Sequence, residues 1–504
     1  MKVRPIGGAN WQTLASLVVL VAFAGLLLHQ LGSNPIWNDE GLSYFAAKDG
    51  IRQTLVRVAS DTHAPFYYVL LSVWMNAGHD LFTLRIPSVM AGIVSVIFVY
   101  LSARALTDRG TAILAMALFA IAPANVDWAQ HARPYSLQTM FVAISLWGFV
   151  RIVTSELAGT HLIGTGLAAA LRNGRASGPS CDLAWFAYAV AGGLAMLTQH
   201  PAGFFVLGCN VVMAVRIFRD VRTNRLLLIN WTIAQLVISV IWLSWLPAFL
   251  GQVSEHMTNT EMAVREPQFL VASLWPMFQE LLSVAYVWRV QPWPLLLYVL
   301  PLIAGCYHAI RTTANIRWIY LAAASPLIVT TICYYAISPI FGYAIHTFHW
   351  FPVLTAILVA HGISVIGPRP VQVAAVALLA LVNLKGLSNY YQQPGTSYAD
   401  IANVIAAKAK AGDGIVFDSN YACRFGVAYY LEPNFKDMPG LDTSRLGDHL
   451  IRTPQAAAAN RRNWVCAPNG EDPAVSFGDL AGIGRLGFEQ RFDAFVLRRY
   501  DRAD

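Results

Sequence analysis

The sequence predicts an all-α polytopic membrane protein that ends in a small soluble α/β domain. Hydrophobic residues make up 56% of its 504 residues, and charged residues only 12%. The mean hydropathy of +0.49 is far above that of soluble globular proteins. Apolar stretches also recur at the length of about 17–25 residues that a helix needs to cross a bilayer. Together these observations exclude a soluble protein.

Charge-poor stretches before residue 390 predict about eleven membrane spans. The first is too long for a cleavable signal peptide and has no small-residue cleavage site. Residues 62–79 also lack charge, but a span there would move the basic cluster at 216–225 to the acidic side of the membrane. An interfacial helix is therefore predicted for 62–79. The predicted spans are residues 11–31, 84–104, 110–125, 135–151, 183–199, 201–217, 227–250, 292–310, 317–337, 347–366 and 371–388.

The net charge of +7 reflects orientation in the membrane. Basic residues are dispersed among short loops and form no aromatic-interleaved stripe, so nucleic acid is not a predicted partner. Arginine dominates one set of loops and acids the other, which is the positive-inside pattern. It predicts a multi-pass protein of a bacterial-type inner (plasma) membrane with a cytoplasmic N-terminus. Residues 32–83 and 251–290 are then exterior loops, and 152–182 is a cytoplasmic linker.

A change of composition at residue 389 predicts a domain boundary. Residues 1–388 form the transmembrane domain, and residues 389–504 form an exterior, periplasmic α/β domain. Cys423 and Cys466 both lie in that domain, where they are either a disulfide in an oxidising compartment or two free thiols. Periodicity predicts helices at Tyr398–Ala411 and Ala456–Arg462 and strands at Ile415–Phe417, Trp464–Cys466 and Phe492–Leu497.

Two adjacent acids, Asp39 and Glu40, directly follow the first predicted span. They are not needed for insertion into the membrane, so they are candidate catalytic residues. Asp39 is the predicted general base, and Glu40 either orients an acceptor or ligates a cation. The structural alternatives are a solvated loop and an N-cap for a helix that starts near Gly41.

Further polar residues fall on the same predicted face of the membrane. A carboxylate that deprotonates an acceptor hydroxyl and a cation that holds a phosphate leaving group suit chemistry on a lipid-linked substrate. The two arginines could instead be interface anchors, and the histidine could have a structural role. The candidates for substrate or phosphate binding are Asp61, His63, Arg85, Gln130 and Arg133, beside His131.

No motif defines a cofactor. The cysteines have no zinc-site spacing, and no glycine-rich phosphate loop is present. A divalent cation is compatible with Glu40 and with three histidines near the outer ends of later spans, although their spacing defines no site. These histidines are His256, His346 and His349.

Three local patterns resemble the polytopic C-type glycosyltransferases, in the branch of aminoarabinose transferases and protein O-mannosyltransferases. The first is the acidic pair Asp39 and Glu40 after span one. The second is HAPFYYVLLSVWMNAGHDLFTLRIPSVMAG (His63 to Gly92), and the third is APANVDWAQHARPYSLQ (Ala122 to Gln138). The resemblance is specific from about residue 35 to 150.

The resemblance implies a C-type glycosyltransferase fold and a defined reaction. One sugar would pass, with inversion, from a polyprenyl-phosphate donor to a lipid-linked, polysaccharide or protein acceptor at the outer face of the membrane. Asp39 would be the catalytic base. His63, Gln130 and Arg133 would lie near the donor phosphate.

Two other classes of protein compete with this interpretation. A flippase or transporter of lipid-linked saccharides would also have many spans, but transporters place essential polar groups at mid-membrane depth. Here the acids and bases concentrate outside the predicted spans, which favours an enzyme. A non-catalytic scaffold that displays the C-terminal domain would leave Asp39 and Glu40 without a function.

Overall fold

The computed structural model describes residues 8–157, 180–219, 222, 224–258, 296–311, 324–333, 345–393, 395–410, 413–417, 423–435, 461–469 and 484–502. Apolar helices dominate the first four-fifths of the chain, and a small sheet with two helices follows. This arrangement confirms the predicted fold class.

The described residues of the membrane domain form sixteen α-helices. Two 3₁₀ turns, Met75–Ala77 and Ile345–Phe348, lie among them. The helices are α1 (Gly8–Leu28), α2 (Asn38–Ala47), α3 (Gly50–Ala59), α4 (Phe66–Trp74), α5 (Leu81–Leu106), α6 (Arg109–Ile121), α7 (Pro123–Ala129), α8 (Tyr135–Leu157), α9 (Ser180–Thr198), α10 (Ala202–Phe218), α11 (Arg225–Leu243), α12 (Leu246–Thr258), α13 (Leu296–Arg311), α14 (Ala324–Cys333), α15 (Phe351–Val365) and α16 (Arg369–Tyr391).

Four described helices are long and apolar enough to cross a membrane, namely α1, α5, α8 and α16. The number rises to six if each of two bent helix pairs is one span. In each pair, α6 with α7 and α11 with α12, the two helices meet at 61°. The spans predicted at 110–125 and 227–250 coincide with these bent pairs, and the count of about eleven stays a prediction.

Close packing of α5, α8 and α9 forms the centre of the membrane domain. At Gly148 in α8, an added Cβ atom would lie 2.4 Å from the Ala184 carbonyl oxygen of α9. Only glycine allows the two backbones to approach this closely. The outer faces of α1 and α16 remain exposed and apolar, as lipid contact requires.

The interfacial helix predicted at 62–79 corresponds to α4 and the 3₁₀ turn that follows it. Two of its aromatic residues, Tyr67 and Tyr68, do not lie on its exposed face. Both side chains are at most 1% exposed. They pack inward beneath the loop that precedes α4.

The C-terminal part contains α17 (Tyr398–Lys408), α18 (Arg424–Phe435) and a four-stranded sheet. Strand order is β1–β2–β4–β3, with β1 parallel to β2 and the other neighbours antiparallel. The strands are β1 (Asp413–Phe417), β2 (Arg462–Pro468), β3 (Arg485–Arg491) and β4 (Phe495–Asp501).

The predicted strands at 415–417 and 464–466 are confirmed as parts of β1 and β2. The strand predicted at Phe492–Leu497 was wrong in detail, because Phe492 lies in the turn before β4. The helix predicted at Ala456–Arg462 was also wrong in detail, because Arg462 begins β2. Cys423, directly before α18, is disulfide-bonded to Cys466 in β2. This bond selects one of the two alternatives that the sequence left open.

The segment 32–83 packs against the C-terminal domain through α2. Asn38 accepts hydrogen bonds from the backbone N–H groups of Phe425 and Gly426, and so caps the start of α18. A Cβ atom on Gly41 would lie 2.5 Å from the Phe425 carbonyl oxygen. Lys48 forms an ion pair with Glu432. The soluble domain is thereby fixed to the helix that carries Asp39 and Glu40.

Some predictions fall outside the described residues. They include most of the linker 152–182, the larger part of the exterior loop 251–290 and most of the predicted span 317–337. The predicted boundary at residue 389 lies inside α16, because that helix continues to Tyr391.

Candidate functional site

A buried ion pair between Glu40 and Arg85 joins α2 to α5. Two Arg85 nitrogens, Nε and Nη2, donate to the two carboxylate oxygens of Glu40, both at 2.8 Å. The side chains are 1% and 2% exposed. Burial raises the pKa of Glu40, but the charge and hydrogen bonds of Arg85 outweigh it and lower this pKa to about 2. Glu40 is therefore charged throughout the physiological range.

The rest of the Arg85 guanidinium binds the chain that leaves α1. Its Nη groups donate to the carbonyl oxygens of Leu31, Asn34 and Pro35 at 2.6–3.0 Å. All five N–H groups of the guanidinium thus have an acceptor. This geometry favours a structural role for Arg85 as one half of a buried ion pair, and not as the interface anchor that the sequence suggested, and it leaves Arg85 no donor for a substrate.

Glu40 also fixes the two segments on which the proposed chemistry depends. Its carboxylate accepts hydrogen bonds from the backbone N–H groups of Trp37 and Ala132 at 3.0 and 2.8 Å. Asp39 and Arg133 are the sequence neighbours of Glu40 and Ala132. One buried carboxylate therefore determines how these two residues face each other.

Asp39 lies in the first turn of α2, and 35% of its side chain is exposed. Its carboxylate oxygen Oδ2 is 3.6 Å from Nη2 of Arg133, whose side chain is only 3% exposed. The predicted meeting of Asp39 with Arg133 is present in the structure. Asp39 is the accessible member of the pair, and Arg133 is the buried one.

Five protein groups surround the Arg133 guanidinium. Nη1 donates to the Asp39 carbonyl oxygen at 3.1 Å, with Ser43 Oγ at 3.3 Å and the Tyr68 hydroxyl at 3.5 Å. Nη2 donates to the Tyr135 hydroxyl at 3.2 Å and lies 3.1 Å from His63 Nε2. A ligand can bond to an Nη group only in exchange for one of these acceptors.

The contact between Arg133 Nη2 and His63 Nε2 determines which ring nitrogen of His63 carries the proton. Arginine has no acceptor, so Nε2 of His63 must accept and the ring proton must be on Nδ1. Nδ1 lies 2.9 Å from Asp61 Oδ2, the acceptor that this tautomer requires. His63 is therefore a neutral imidazole that links Asp61 to Arg133. Burial raises the pKa of Asp61, but its hydrogen bonds with His63 and the Thr62 amide, together with the nearby Arg133 charge, outweigh it and lower the value.

Gln130 lies apart from this network, in a structural position. Its Nε2 donates to the carbonyl oxygens of Leu26, Leu27 and His29 at the end of α1, while its Oε1 accepts from the Tyr390 hydroxyl. The residue is 2% exposed. These contacts satisfy carbonyl groups that a helix end leaves unpaired, so the geometry favours a structural role over donor binding.

An aromatic wall adjoins the Asp39–Arg133 pair. Trp128 packs against Tyr135 with ring centroids 4.5 Å apart, and Trp37, His131 and His349 lie about it at 5.9–6.1 Å. His131 contacts Asp127 through Nδ1. Burial lowers the pKa of His131, but the charges of Asp127 and Glu40 outweigh it and raise the value. Sequence reasoning did not identify this wall, because its rings come from three distant segments.

No metal site is evident in the described part of the chain, which contains no group of three or more His, Cys, Asp or Glu side chains that could hold an ion. Of the three candidate histidines, His349 is buried in the aromatic wall. The side chains of His256 and His346 lie outside the described residues.

The arrangement combines an accessible carboxylate, a buried guanidinium held beside it and a wall of aromatic rings. A carboxylate of this kind can accept a proton from a hydroxyl group. The guanidinium provides a fixed positive charge for an anionic leaving group. Aromatic faces suit the apolar faces of a bulky ligand.

Comparison with known proteins identifies the fold that carries this site. Residues 62–172 match the family model of dolichyl-phosphate-mannose-protein mannosyltransferase. ArnT from Cupriavidus metallidurans in the apo state is 14% identical, with 97% of this chain and 98% of that chain covered and a TM-score of 0.57. The apo oligosaccharyltransferase of Archaeoglobus fulgidus is 13% identical, with 96% and 73% covered and a TM-score of 0.55.

The chain has the C-type glycosyltransferase fold. A third structure agrees: archaeal AglB from Archaeoglobus fulgidus, in complex with an inhibitory peptide and a dolichol-phosphate, is 13% identical with a TM-score of 0.52. The match covers 91% of this chain and 70% of the AglB chain. These likenesses confirm the resemblance predicted from the sequence, while no curated protein matches by sequence. His63, Arg85, Gln130 and Arg133 lie inside the matched segment, and Asp39 and Glu40 precede it.

The two adjacent acids are expected to respond differently to the same substitution. Glu40→Gln leaves the Arg85 charge buried without its partner, which costs about 3–5 kcal/mol of folding free energy. Asp39→Asn, a matched control on a partly exposed side chain, is expected to change stability by less than about 1 kcal/mol. Thermal unfolding of both purified variants in detergent measures the difference. Equal unfolding temperatures would contradict the structural role of Glu40.

Proposed function

We propose that the chain is a membrane glycosyltransferase that moves one sugar from a polyprenyl-phosphate donor to a lipid-linked, polysaccharide or protein acceptor, with inversion at the sugar. One observation carries this proposal: an accessible carboxylate, Asp39, lies 3.6 Å from the buried guanidinium of Arg133 within a C-type glycosyltransferase fold. The dolichol-phosphate in the AglB complex supports a donor of this chemical class.

Asp39 acts as the general base in this proposal. Its carboxylate takes the proton of the acceptor hydroxyl while the hydroxyl oxygen attacks the anomeric carbon of the donor sugar. The bond between that carbon and the phosphate oxygen breaks, and polyprenyl phosphate leaves with the bonding electron pair. Attack from the opposite side inverts the configuration. The product is the glycosylated acceptor.

Arg133 stabilises the phosphate that leaves. Negative charge grows on the leaving oxygen in the transition state, and a fixed guanidinium in a buried site lowers its energy. The neutral His63, held by Asp61, keeps Nη2 of Arg133 in place. A donor phosphate that binds Arg133 competes with the Asp39 carboxylate for the guanidinium. The weaker contact with Arg133 then leaves the Asp39 carboxylate available to accept the proton of the acceptor hydroxyl.

The protein is a multi-pass membrane protein, and we further propose its orientation. The N-terminus lies in the cytoplasm of a bacterial-type inner membrane, and the active site and C-terminal domain lie outside. The positive-inside charge pattern supports this orientation, as does the Cys423–Cys466 disulfide, which is typical of an oxidising compartment.

Orientation is testable with a thiol placed in the exposed turn before β4. Asp493→Cys is expected to react with a membrane-impermeant maleimide added to intact spheroplasts. Its matched control, Arg104→Cys at the opposite end of α5 from the site, is expected to react only after the membrane is opened. The reverse labelling pattern would contradict the proposed orientation.

Substitution of Asp39 tests the proposed base. Asp39→Asn keeps the shape of the side chain but removes its basicity, so sugar transfer is expected to fall by about 10²- to 10⁴-fold. Binding of the donor lipid should persist. A radiolabelled-sugar assay on proteoliposomes measures transfer, and a transporter would continue to move lipid in this variant. Transfer at the native rate would remove Asp39 from the role of base.

Substitution of Arg133 separates its charge from its geometry. Arg133→Gln removes the charge and is expected to weaken donor binding by roughly 10-fold or more. Arg133→Lys keeps the charge but loses the forked contacts, so donor binding should fall less while the rate of transfer still drops. Equilibrium binding of polyprenyl phosphate and single-turnover transfer give the two quantities. Donor binding that is unchanged in Arg133→Gln would leave Arg133 a structural role only.

A further inference from the structure

A second cleft lies at the other end of α2, about 14 Å along the helix from Asp39. Its volume is about 430 Å³, and the ends of α2, α3 and α4 with the following 3₁₀ turn enclose it. The lining residues that could contact a ligand through polar groups are Lys48, Gly50, Ile51, Ser72, Asn76 and His79. The chemistry proposed above uses none of these residues.

Ser72, in the wall of this cleft, carries a buried hydroxyl without a partner among the described residues. The residue is 7% exposed, and its Oγ has no hydrogen-bond partner within the described part of the chain. Buried hydroxyl groups are nearly always paired with protein, ordered water or a ligand. The Ser72 hydroxyl is therefore a hydrogen-bonding group that a ligand in the cleft would satisfy.

The first turn of α3 forms another wall. Gly50 and Ile51 lie there, where amide groups have no acceptor within the helix. Asp49 precedes them in the N-cap position but makes no side-chain cap bond, because its carboxylate binds Arg57 instead. A helix start that its own aspartate does not cap favours an external anion.

The charged residues that line the cleft also favour an anionic ligand. The ten lining residues include the Lys48 ammonium and the His79 imidazole, and no carboxylate. Lys48 Nζ contacts Glu432 of the C-terminal domain at 2.5 Å. An ammonium has three N–H donors, so this ion pair leaves two for a ligand.

The surroundings of the cleft are apolar and lie at a membrane boundary. Ile51 and Val73 line the cleft and are 47% and 52% exposed. His79 lies two residues before the start of the membrane-length helix α5, whose Phe82 is 46% exposed. A ligand with a phosphate group inside the cleft and hydrocarbon chains beyond it would match both regions.

We propose that this cleft binds the phosphate headgroup of a membrane lipid. The phosphate accepts hydrogen bonds from Ser72 Oγ, from Lys48 Nζ and from the first amide groups of α3, while the acyl chains cover Ile51 and Val73. The site depends on the membrane location of the chain and not on sugar transfer. The lipid site can therefore be confirmed or refuted independently of the proposed function.

Lipid titration of the purified full-length protein, followed by native mass spectrometry, tests the class of ligand. Dioctanoyl phosphatidylglycerol is expected to bind at least about tenfold more tightly than dioctanoylglycerol, which lacks the charged phosphate. Inorganic phosphate is expected to displace it only weakly, because it has no acyl chains. Equal binding of the two lipids would overturn the phosphate contact. Displacement by inorganic phosphate at the concentration of the lipid itself would overturn the assignment to a lipid.

Paired variants locate the site. Ser72→Ala is expected to weaken phosphatidylglycerol binding by about two- to tenfold. Ser102→Ala, which removes another buried and unpartnered hydroxyl far along α5, should leave it unchanged. Equal affinities of these two variants would overturn the assignment of Ser72.

A second pair distinguishes a ligand contact from domain packing. Lys48→Gln and Glu432→Gln break the same ion pair, so they would act alike if Lys48 served only to hold the C-terminal domain. The proposal predicts opposite effects. Lys48→Gln weakens lipid binding, whereas Glu432→Gln releases the Lys48 ammonium and maintains or strengthens it. Weakening of similar size in both variants, or none in Lys48→Gln, would overturn the proposal.

Discussion

The buried pair of Glu40 and Arg85 is the interaction on which the site depends. Two charges removed from water are stable only when both are fully paired and hydrogen-bonded. Here Arg85 has an acceptor for each of its five N–H groups, and Glu40 accepts from Arg85, Trp37 and Ala132. Because the pair joins the start of α2, the N-terminal end of α5 and the turn before α8, none of these segments can shift without exposing a buried charge. The pocket is thus held rigid before any substrate arrives.

Because these segments are fixed, neighbouring residues of α2 face different parts of the protein. Glu40 faces the core and Asp39 faces the pocket, since successive residues of a helix point about 100° apart. The backbone N–H of Ala132 donates a hydrogen bond to the same carboxylate. This bond places the next residue, Arg133, beside Asp39. Asn38, one residue earlier, fixes α2 to the soluble domain through α18. Three consecutive residues thus connect the C-terminal domain, the proposed base and the structural ion pair.

Much of this could be predicted from the sequence, and the rest follows from contacts that the sequence does not encode locally. Composition and span-length patterns predicted the fold class, and topology placed Asp39 and Arg133 on one face of the membrane. The separate roles of Asp39 and Glu40 depend on Arg85, 45 residues away, which no local pattern reveals. Gln130 appeared equally suited to bind substrate, but its acceptors lie in the distant end of α1. The aromatic wall escaped notice because its rings come together only in the folded chain.

An experimental structure of the full chain in a lipid nanodisc with polyprenyl phosphate bound would test the central claim most directly. The account predicts that the phosphate lies within contact distance of the Arg133 guanidinium and beside the Asp39 carboxylate, with Glu40 and Arg85 still paired beneath them. A phosphate bound elsewhere in the membrane domain, with Asp39 turned away from it, would contradict the account.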